Sequence, residues 1–117
     1  MSSWEILQLA REAPSAGNLR AYKVIMADRQ LTRYTAPINL LICAMPEKSA
    51  KRYGERGRRL YAIQDATIYG AYIQLIATNF GVDSVWVGAF RESKIRQALE
   101  LDEALKPIAI ILLGYRG

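Results

Sequence analysis

Apolar residues follow helical spacing in three segments of the chain and form strand-length runs in four others. The pattern predicts helices at residues 2–13, 60–80 and 92–100, and strands at residues 22–27, 38–45, 83–89 and 107–115. Pro14 is expected to end the first helix, and residues 31–34 are expected to form one further helical turn. This order favours an α+β fold, an α-β-α sandwich whose sheet of about four strands packs around a long central helix.

The predicted helix at residues 60–80 is the longest, and it is apolar on nearly every side. Gly81 is expected to end it, and Gly70 and Ala71 would let another helix approach closely. A helix with this pattern is buried on several sides. In so short a chain, we expect part of that surface to meet a second subunit.

At 117 residues, the chain is expected to form a single domain spanning residues 1–117. It has no histidine and one cysteine, which excludes Ser–His and Cys–His nucleophile pairs, an intrachain disulfide and almost every zinc arrangement. Cys43 lies in an apolar run and is expected to be a small buried residue. Any catalysis must therefore use carboxylates, tyrosines, lysines or arginines, or a cofactor.

The net charge of +5 is unevenly distributed, because residues 48–59 hold six of the 16 basic residues. Three interpretations are open: a solvated, mobile surface with loops at Gly54 and Gly57, a site for a phosphorylated small molecule, or a nucleic-acid patch. The nucleic-acid patch is least favoured, because no RNA-binding glycine–aromatic pattern, helix-turn-helix or zinc-finger spacing accompanies the charge. No apolar run approaches the ~20 residues that span a bilayer, so we expect a cytoplasmic protein.

Two segments combine turn-forming residues with polar groups at the ends of predicted strands. The first is residues 13–22 (APSAGNLRAY), and the second is residues 83–90 (DSVWVGAF). Taken alone, the first would be an ordinary connector. Together with residues 53–67 and 107–115, the two segments resemble, in the same order, the nitroreductase-like flavoproteins. The resemblance is to a short archaeal type of that family and, more loosely, to the peptide-azoline dehydrogenases.

The resemblance implies an FMN-dependent oxidoreductase that acts as a homodimer. It implies hydride transfer from NADH or NADPH to a small acceptor, such as a nitroaromatic or a quinone. No catalytic side chain is implied, because the family places a backbone N–H, here that of Gly88, against the flavin N5 and O4 edge. The first segment is implied to reach the flavin of the partner subunit. The implied cofactor-binding residues are Pro14, Ser15, Ala16, Asn18, Arg20, Val87, Gly88 and Ala89.

A second interpretation is a non-catalytic module that kept the fold and binds a flavin or another nucleotide without turnover. The FMN phosphate is where the chain departs from the family, whose members usually hold it with arginines near both ends. We therefore expect weak FMN binding that is sensitive to salt. Arg20 is the first candidate for a replacement anchor, since it lies in a matched loop where the family commonly has glutamine. The other candidates are Arg56, Arg58, Arg59 and Arg116.

Asp65 and Glu55 are acidic residues near the basic segment. A general-acid role is open for Asp65. An ion pair with a nearby arginine, or a place in the first turn of the long helix, is favoured.

Overall fold

The computed structural model describes residues 3–115. The helices are α1 (Ser3–Ala10), α2 (Pro46–Arg56), α3 (Ala62–Asn79) and α4 (Glu92–Leu99). The strands are β1 (Tyr22–Ala27), β2 (Ile38–Ala44), β3 (Val82–Val87) and β4 (Lys106–Tyr115). A 3-10 turn at Ala16–Asn18 precedes β1, and a π-helical turn at Gly57–Tyr61 joins α2 to α3. Each predicted strand and long helix is present. The first helix ends at Ala10, however, so the expectation that Pro14 ends it is wrong, and residue 2 of that prediction lies outside the described residues.

The four strands form one antiparallel sheet in the order β1-β2-β4-β3. The two central strands carry the apolar runs, and six of the seven residues of β2 are buried. This burial explains the continuous apolar sequence, because a central strand packed on both faces has no side exposed to water. The pairing of β2 with β4 shifts by one residue between Ile42 and Cys43, which marks a β-bulge.

Helices cover both faces of the sheet, which confirms the predicted α-β-α sandwich. On one face, α1 and α3 pack against alternate strand residues such as Leu40 and Ile42. On the other face, Ile95 of α4 packs with Leu41 and Cys43. Cys43 is fully buried, as predicted, and burial raises the pKa of its thiol to about 11.

Helix α3 is buried along its inner side, but several apolar side chains point outward. Ala66, Ile73 and Ala77 are fully buried in the core. Leu75 is 67% exposed and Phe80 39% exposed. The prediction that α3 is apolar beyond what one subunit covers is consistent with this exposure. No helix within residues 3–115 is long and apolar enough to cross a membrane.

The predicted helical turn at residues 31–34 is wrong, because this segment is an irregular loop. Polar side chains hold the loop in place of helical hydrogen bonds. The backbone N–H of Leu31 donates to Asn39 Oδ1 at 2.9 Å, and Gln30 Nε2 donates to the carbonyl of Ala36 at 2.9 Å. Local hydrogen bonds from such side chains compete with helix formation.

The expectation of loops in the basic segment is wrong at Gly57, whereas at Gly54 the backbone leaves the helical conformation without forming a loop. Pro46 begins helix α2 at a position that tolerates proline, and the helical turns continue through residue 57. Gly57 is buried, and a Cβ there would lie 2.6 Å from the carbonyl oxygen of Ser49. Gly57 therefore allows close packing against the preceding helix, while Gly54 (φ +62°) produces a kink.

Candidate functional site

The first loop, residues 14–20, has an unusual backbone for so short a segment. Gly17, Asn18 and Arg20 all have positive φ values of 60°, 58° and 49°. Such values are costly for residues other than glycine and persist only where surrounding contacts impose them. Here the Ser15 hydroxyl accepts a hydrogen bond from the Arg20 N–H at 3.0 Å, and the Ser15 carbonyl accepts one from Asn18 N–H at 3.0 Å.

Asp65, in the first turn of α3, holds the backbone conformation of the first loop through hydrogen bonds. Its Oδ1 accepts the Ala16 N–H at 3.0 Å, and its Oδ2 accepts the Ala21 N–H at 3.4 Å. Of the two favoured roles, the place in the first turn of the long helix is confirmed. The ion pair with an arginine is wrong, because among the described residues the partners of this carboxylate are backbone amides. Only 2% of Asp65 is exposed, and burial raises its pKa, while the two backbone hydrogen bonds oppose that rise.

Basic side chains gather beside the first loop. Arg20 Nε donates to the Arg11 carbonyl at 3.1 Å, and Lys48 Nζ donates to the Arg20 carbonyl at 3.4 Å. The Arg11 guanidinium lies 5.8 Å from the ring centre of Tyr22, which in turn stacks on Tyr69 at 4.0 Å. Three cations therefore adjoin a loop whose exposed backbone can approach a ligand, an arrangement that suits an anion.

The other arginines proposed as phosphate anchors have different surroundings. Arg58 forms ion pairs with Glu47 and Glu55, and Arg59 forms one with Glu55 at 3.1 Å. Their charges are therefore already balanced within the segment, which makes them poor phosphate anchors. Arg56 has no such carboxylate within residues 3–115, and Arg116 lies outside the described residues.

In the second segment, residues 83–90, the chain leaves β3 after Val87. Its last sheet pair is Val87 with Ile110, so the backbone of Gly88 and Ala89 lies beyond the ladder. Both Gly88 and Ala89 are exposed. A Cβ built on Gly88 would contact only Trp86 Nε1, at 3.8 Å. The backbone at Gly88 is therefore open to close approach from outside the chain.

Trp86 connects this segment to α3. A Cβ on Gly70 would lie 2.7 Å from Trp86 Cζ3, so the absence of a side chain at Gly70 makes room for the indole. The close approach predicted at Gly70 is present, but the approaching element is strand β3, through the Trp86 indole, and not a helix. Beside Trp86, a groove of about 640 Å³ runs along residues 83–89 and is closed by residues 34–37 and 112–115.

The two candidate segments do not meet within one chain. By the register of the sheet, both lie towards the same end, but β1 and β3 are its opposite edges. Three strand spacings of about 4.8 Å place them roughly 14 Å apart across the sheet. Of the described residues that line the groove, none comes from the first loop. A single ligand edge cannot touch both segments of one subunit at hydrogen-bond distance.

Two contributions to the site were not predicted from the sequence. The sequence suggested an acid or an ion-pair partner at Asp65. Its actual role, as acceptor for loop amides, depends on a contact with Ala16, which is 49 residues away in the sequence. Tyr53 covers the first loop, because a Cβ on Gly17 would overlap its hydroxyl group. The only sequence signal was that an acidic residue and a tyrosine both lie near the basic segment. Within residues 3–115, no group of three or more potential metal ligands is present.

Comparison with known proteins identifies the family. Residues 29–115 match the model of the nitroreductase family. A Methanocaldococcus jannaschii protein that carries the provisional name of a nitroreductase is 35% identical over 92 residues, which is 79% of this chain and 45% of that protein. The chain therefore spans less than half the length of this relative.

Solved structures give the same result. A nitroreductase family protein from Clostridium difficile 630 is 32% identical and superposes with a TM-score of 0.83, covering 97% of this chain and 70% of that one. An FMN-dependent nitroreductase from Clostridium difficile R20291 is 25% identical, with a TM-score of 0.76 and coverage of 97% and 74%. The fold is therefore that of an α+β nitroreductase, and the chain belongs to the nitroreductase family.

Proposed function

We propose that this protein is an FMN-dependent oxidoreductase that passes hydride from NADH or NADPH to a small acceptor, of the nitroaromatic or quinone type. The open backbone at Gly88 is the observation that carries this proposal, in a chain whose family includes an FMN-dependent enzyme. FMN supplies the redox chemistry when bound. The absence of histidine in the sequence is compatible with this role, since the chain has only to bind, orient and shield.

The residues present fit a flavin at this position. The N–H groups of Gly88 and Ala89 lie beyond the sheet ladder and can donate to the polar edge of a planar ring. The surface beside them is largely apolar, with Val85 53% exposed, which suits the flat hydrocarbon part of the ring. We assign this role to Val87, Gly88 and Ala89, the residues that the family resemblance implies.

The first loop would bind the same flavin from the other subunit. Its residues Pro14, Ser15, Ala16 and Asn18 precede β1, which lies roughly 14 Å across the sheet from β3, too far for one ring edge to reach both within a chain. A partner related by two-fold symmetry would bring its own first loop to this flavin. The proposed site is therefore composite, and the proposed homodimer is required for it.

The outer surface of α1 and α3 supports the proposed homodimer. Leu9, Leu75 and Phe80 are 45%, 67% and 39% exposed, and they line a groove of about 520 Å³. Large apolar side chains exposed together are typical of a subunit interface. Sedimentation at micromolar concentration should give a dimer of the 13.2 kDa chain. A monomer would remove the composite site.

We propose Arg20 as the main anchor of the FMN phosphate, with Arg11 and Lys48 beside it. Arg20→Gln, which places the residue common in the family at this position, should raise the Kd for FMN about tenfold or more. Arg20→Lys keeps the charge but loses the bidentate geometry, so a smaller increase is expected. Unchanged affinity in Arg20→Gln would exclude this residue as an essential anchor.

We also propose that residues 1–117 form one minimal nitroreductase-like domain.

Anaerobic reduction tests the activity directly. The protein is reconstituted with FMN, NADPH or NADH is added without oxygen, and the flavin absorbance near 450 nm is followed. We expect bleaching by at least one donor, with colour restored on adding a quinone such as menadione. Bound flavin that neither donor bleaches would instead support the non-catalytic binding module.

A further inference from the structure

The structure divides the six cations of residues 48–59 into two groups. Arg58 and Arg59 are paired with Glu47 and Glu55. The other four have no carboxylate partner among residues 3–115, and they are Lys48, Lys51, Arg52 and Arg56. The positive charge that remains available to a ligand is therefore at the start and middle of this segment.

Two of these unpaired cations lie against tyrosine rings. The Arg52 guanidinium is 5.6 Å from the ring centre of Tyr53, and that of Arg56 is 5.5 Å from the ring centre of Tyr61. Arg56 Nε also donates to the Tyr61 hydroxyl at 3.0 Å. The two rings contact each other edge to face at 5.1 Å. We call these four residues the arginine–tyrosine cluster. Stacking orders each guanidinium without neutralising it, which lowers the cost of binding an anion.

The cluster adjoins the proposed cofactor site. Tyr53 contacts Gly17 of the first loop, at the position where a Cβ would overlap its hydroxyl. The unpaired arginines of the cluster favour a ligand that carries negative charge. An aromatic group on that ligand could also stack on the tyrosine rings and guanidinium planes. The adenosine end of a nicotinamide dinucleotide has this chemistry.

We infer that the arginine–tyrosine cluster binds the phosphorylated adenosine end of the hydride donor and thereby selects NADPH over NADH. This inference rests on the proposed function. NADPH differs from NADH by one ribose phosphate, and an ordered guanidinium of the cluster can bind a phosphate through charge-assisted hydrogen bonds. Lys48 and Lys51 add to the local positive field.

The acidic neighbours favour a small anion over a nucleic acid. Glu47 and Glu55 flank the cluster through their pairs with Arg58 and Arg59. Because Arg58 and Arg59 are already paired with these carboxylates, they offer little free positive charge to a continuous phosphate backbone that follows the helix. A single phosphate needs only the unpaired cations of the cluster.

Variants of single arginines test the inference. KM is measured with NADPH and with NADH for wild-type FMN-loaded protein, Arg52→Ala, Arg56→Ala and the double variant. Arg59→Ala is the matched control, because it removes the same charge from the same segment but from a paired side chain. We expect a lower KM for NADPH in the wild type, and an increase of about ten- to a hundredfold for NADPH alone in the double variant. Arg59→Ala should change the ratio less than about twofold.

Calorimetric titration gives a readout that is independent of activity. Wild-type protein should bind 2′,5′-ADP more tightly than 5′-AMP, and the double variant should lose this difference. The inference is overturned if wild type binds both nucleotides equally, or if Arg59→Ala weakens 2′,5′-ADP as much as Arg56→Ala does. It is also overturned if a single-stranded RNA oligomer displaces 2′,5′-ADP at stoichiometric concentration. Failure to oxidise either donor would count against the proposed function, while the titration would still decide the role of the cluster.

Discussion

Two glycines near β3, Gly70 and Gly88, differ in what a side chain at their position would contact. At Gly70, a Cβ would lie 2.7 Å from Trp86 Cζ3 and 3.3 Å from Ile111 Cδ1, so the core itself requires glycine. At Gly88, the nearest atom would be 3.8 Å away, and nothing within the chain requires glycine. Space that the fold does not use at Gly88 is available to a ligand.

Replacing Gly88 separates binding from folding. In Gly88→Val, the new side chain enters open space, so the free energy of unfolding should change by less than about 1 kcal/mol. FMN affinity should fall at least tenfold, because the methyl groups occupy the position proposed for the ring edge. Urea denaturation and quenching of FMN fluorescence measure the two effects.

Gly70→Ala is the matched control, and its expected pattern is the reverse. The added methyl group must displace the Trp86 indole, which should cost about 1–3 kcal/mol. Unchanged FMN affinity in Gly88→Val, with the protein folded, would show that the proposed site is misplaced.

At the scale of elements, the first turn of α3 determines the conformation of the first loop. The loop has three residues with positive φ, and the Asp65 carboxylate accepts hydrogen bonds from the backbone of Ala16 within it and of Ala21 directly after it. A loop fixed in this way is ordered before a ligand arrives, which lowers the cost of binding.

Removing this carboxylate should both destabilise the protein and weaken FMN binding. Asp65→Ala leaves the partly buried N–H of Ala16 and the buried N–H of Ala21 without an acceptor, at a cost on the order of 2 kcal/mol or more. Asp65→Asn keeps one acceptor oxygen and should give an intermediate loss. Urea unfolding at pH 7 and FMN titration provide the measurements. Full stability in Asp65→Ala would contradict the role assigned to this side chain.

Lowering the pH should change the stabilising contributions of Asp65 and Glu92 in opposite directions. Glu92 lies on α4 and is hydrogen-bonded to Lys106 of β4. Hydrogen bonds from Lys106, at 2.8 Å, and then from Arg96 lower the Glu92 pKa below its usual value of 4.5, so this stabilisation is present above about pH 4.5 and lost as pH falls. Burial raises the Asp65 pKa, so its contribution is present at low pH and lost as pH rises through the folded pKa.

Urea midpoints measured between about pH 3 and pH 7 test these signs. Glu92→Gln should lower stability at neutral pH and flatten its decrease below about pH 4.5. Asp65→Asn should not flatten that decrease, because it removes a group that favours the folded state in acid. Glu103→Gln, a change in an exposed turn, is the control. A flattened decrease in Asp65→Asn would contradict the account.

At the scale of the whole molecule, the sequence predicted the parts of the fold that depend on local pattern. The apolar run of β2 and the long pattern of α3 were sufficient to predict a central strand and a central helix. Errors arose where contacts between separated residues decide the structure. Gly57 is helical because it packs on Ser49, and residues 31–34 are a loop because Asn39 and Gln30 hold them.

The candidate site was predicted by resemblance rather than by pattern. Spacing alone could not show that Gly88 is open while Gly70 is filled, because that difference depends on where the Trp86 indole lies. Nor could it show that Asp65 binds loop amides. The family and the α+β fold are confirmed by the comparisons. The roles of the eight proposed cofactor-binding residues stay predictions.

Calorimetric titration of FMN into the protein tests the central claim most directly. The account predicts saturable binding of one FMN per chain, with partial occupancy after purification, recovery of colour on adding FMN and weaker binding as salt is increased. The sedimenting species at saturation should be a dimer. A protein that binds no FMN at any attainable concentration would contradict the account.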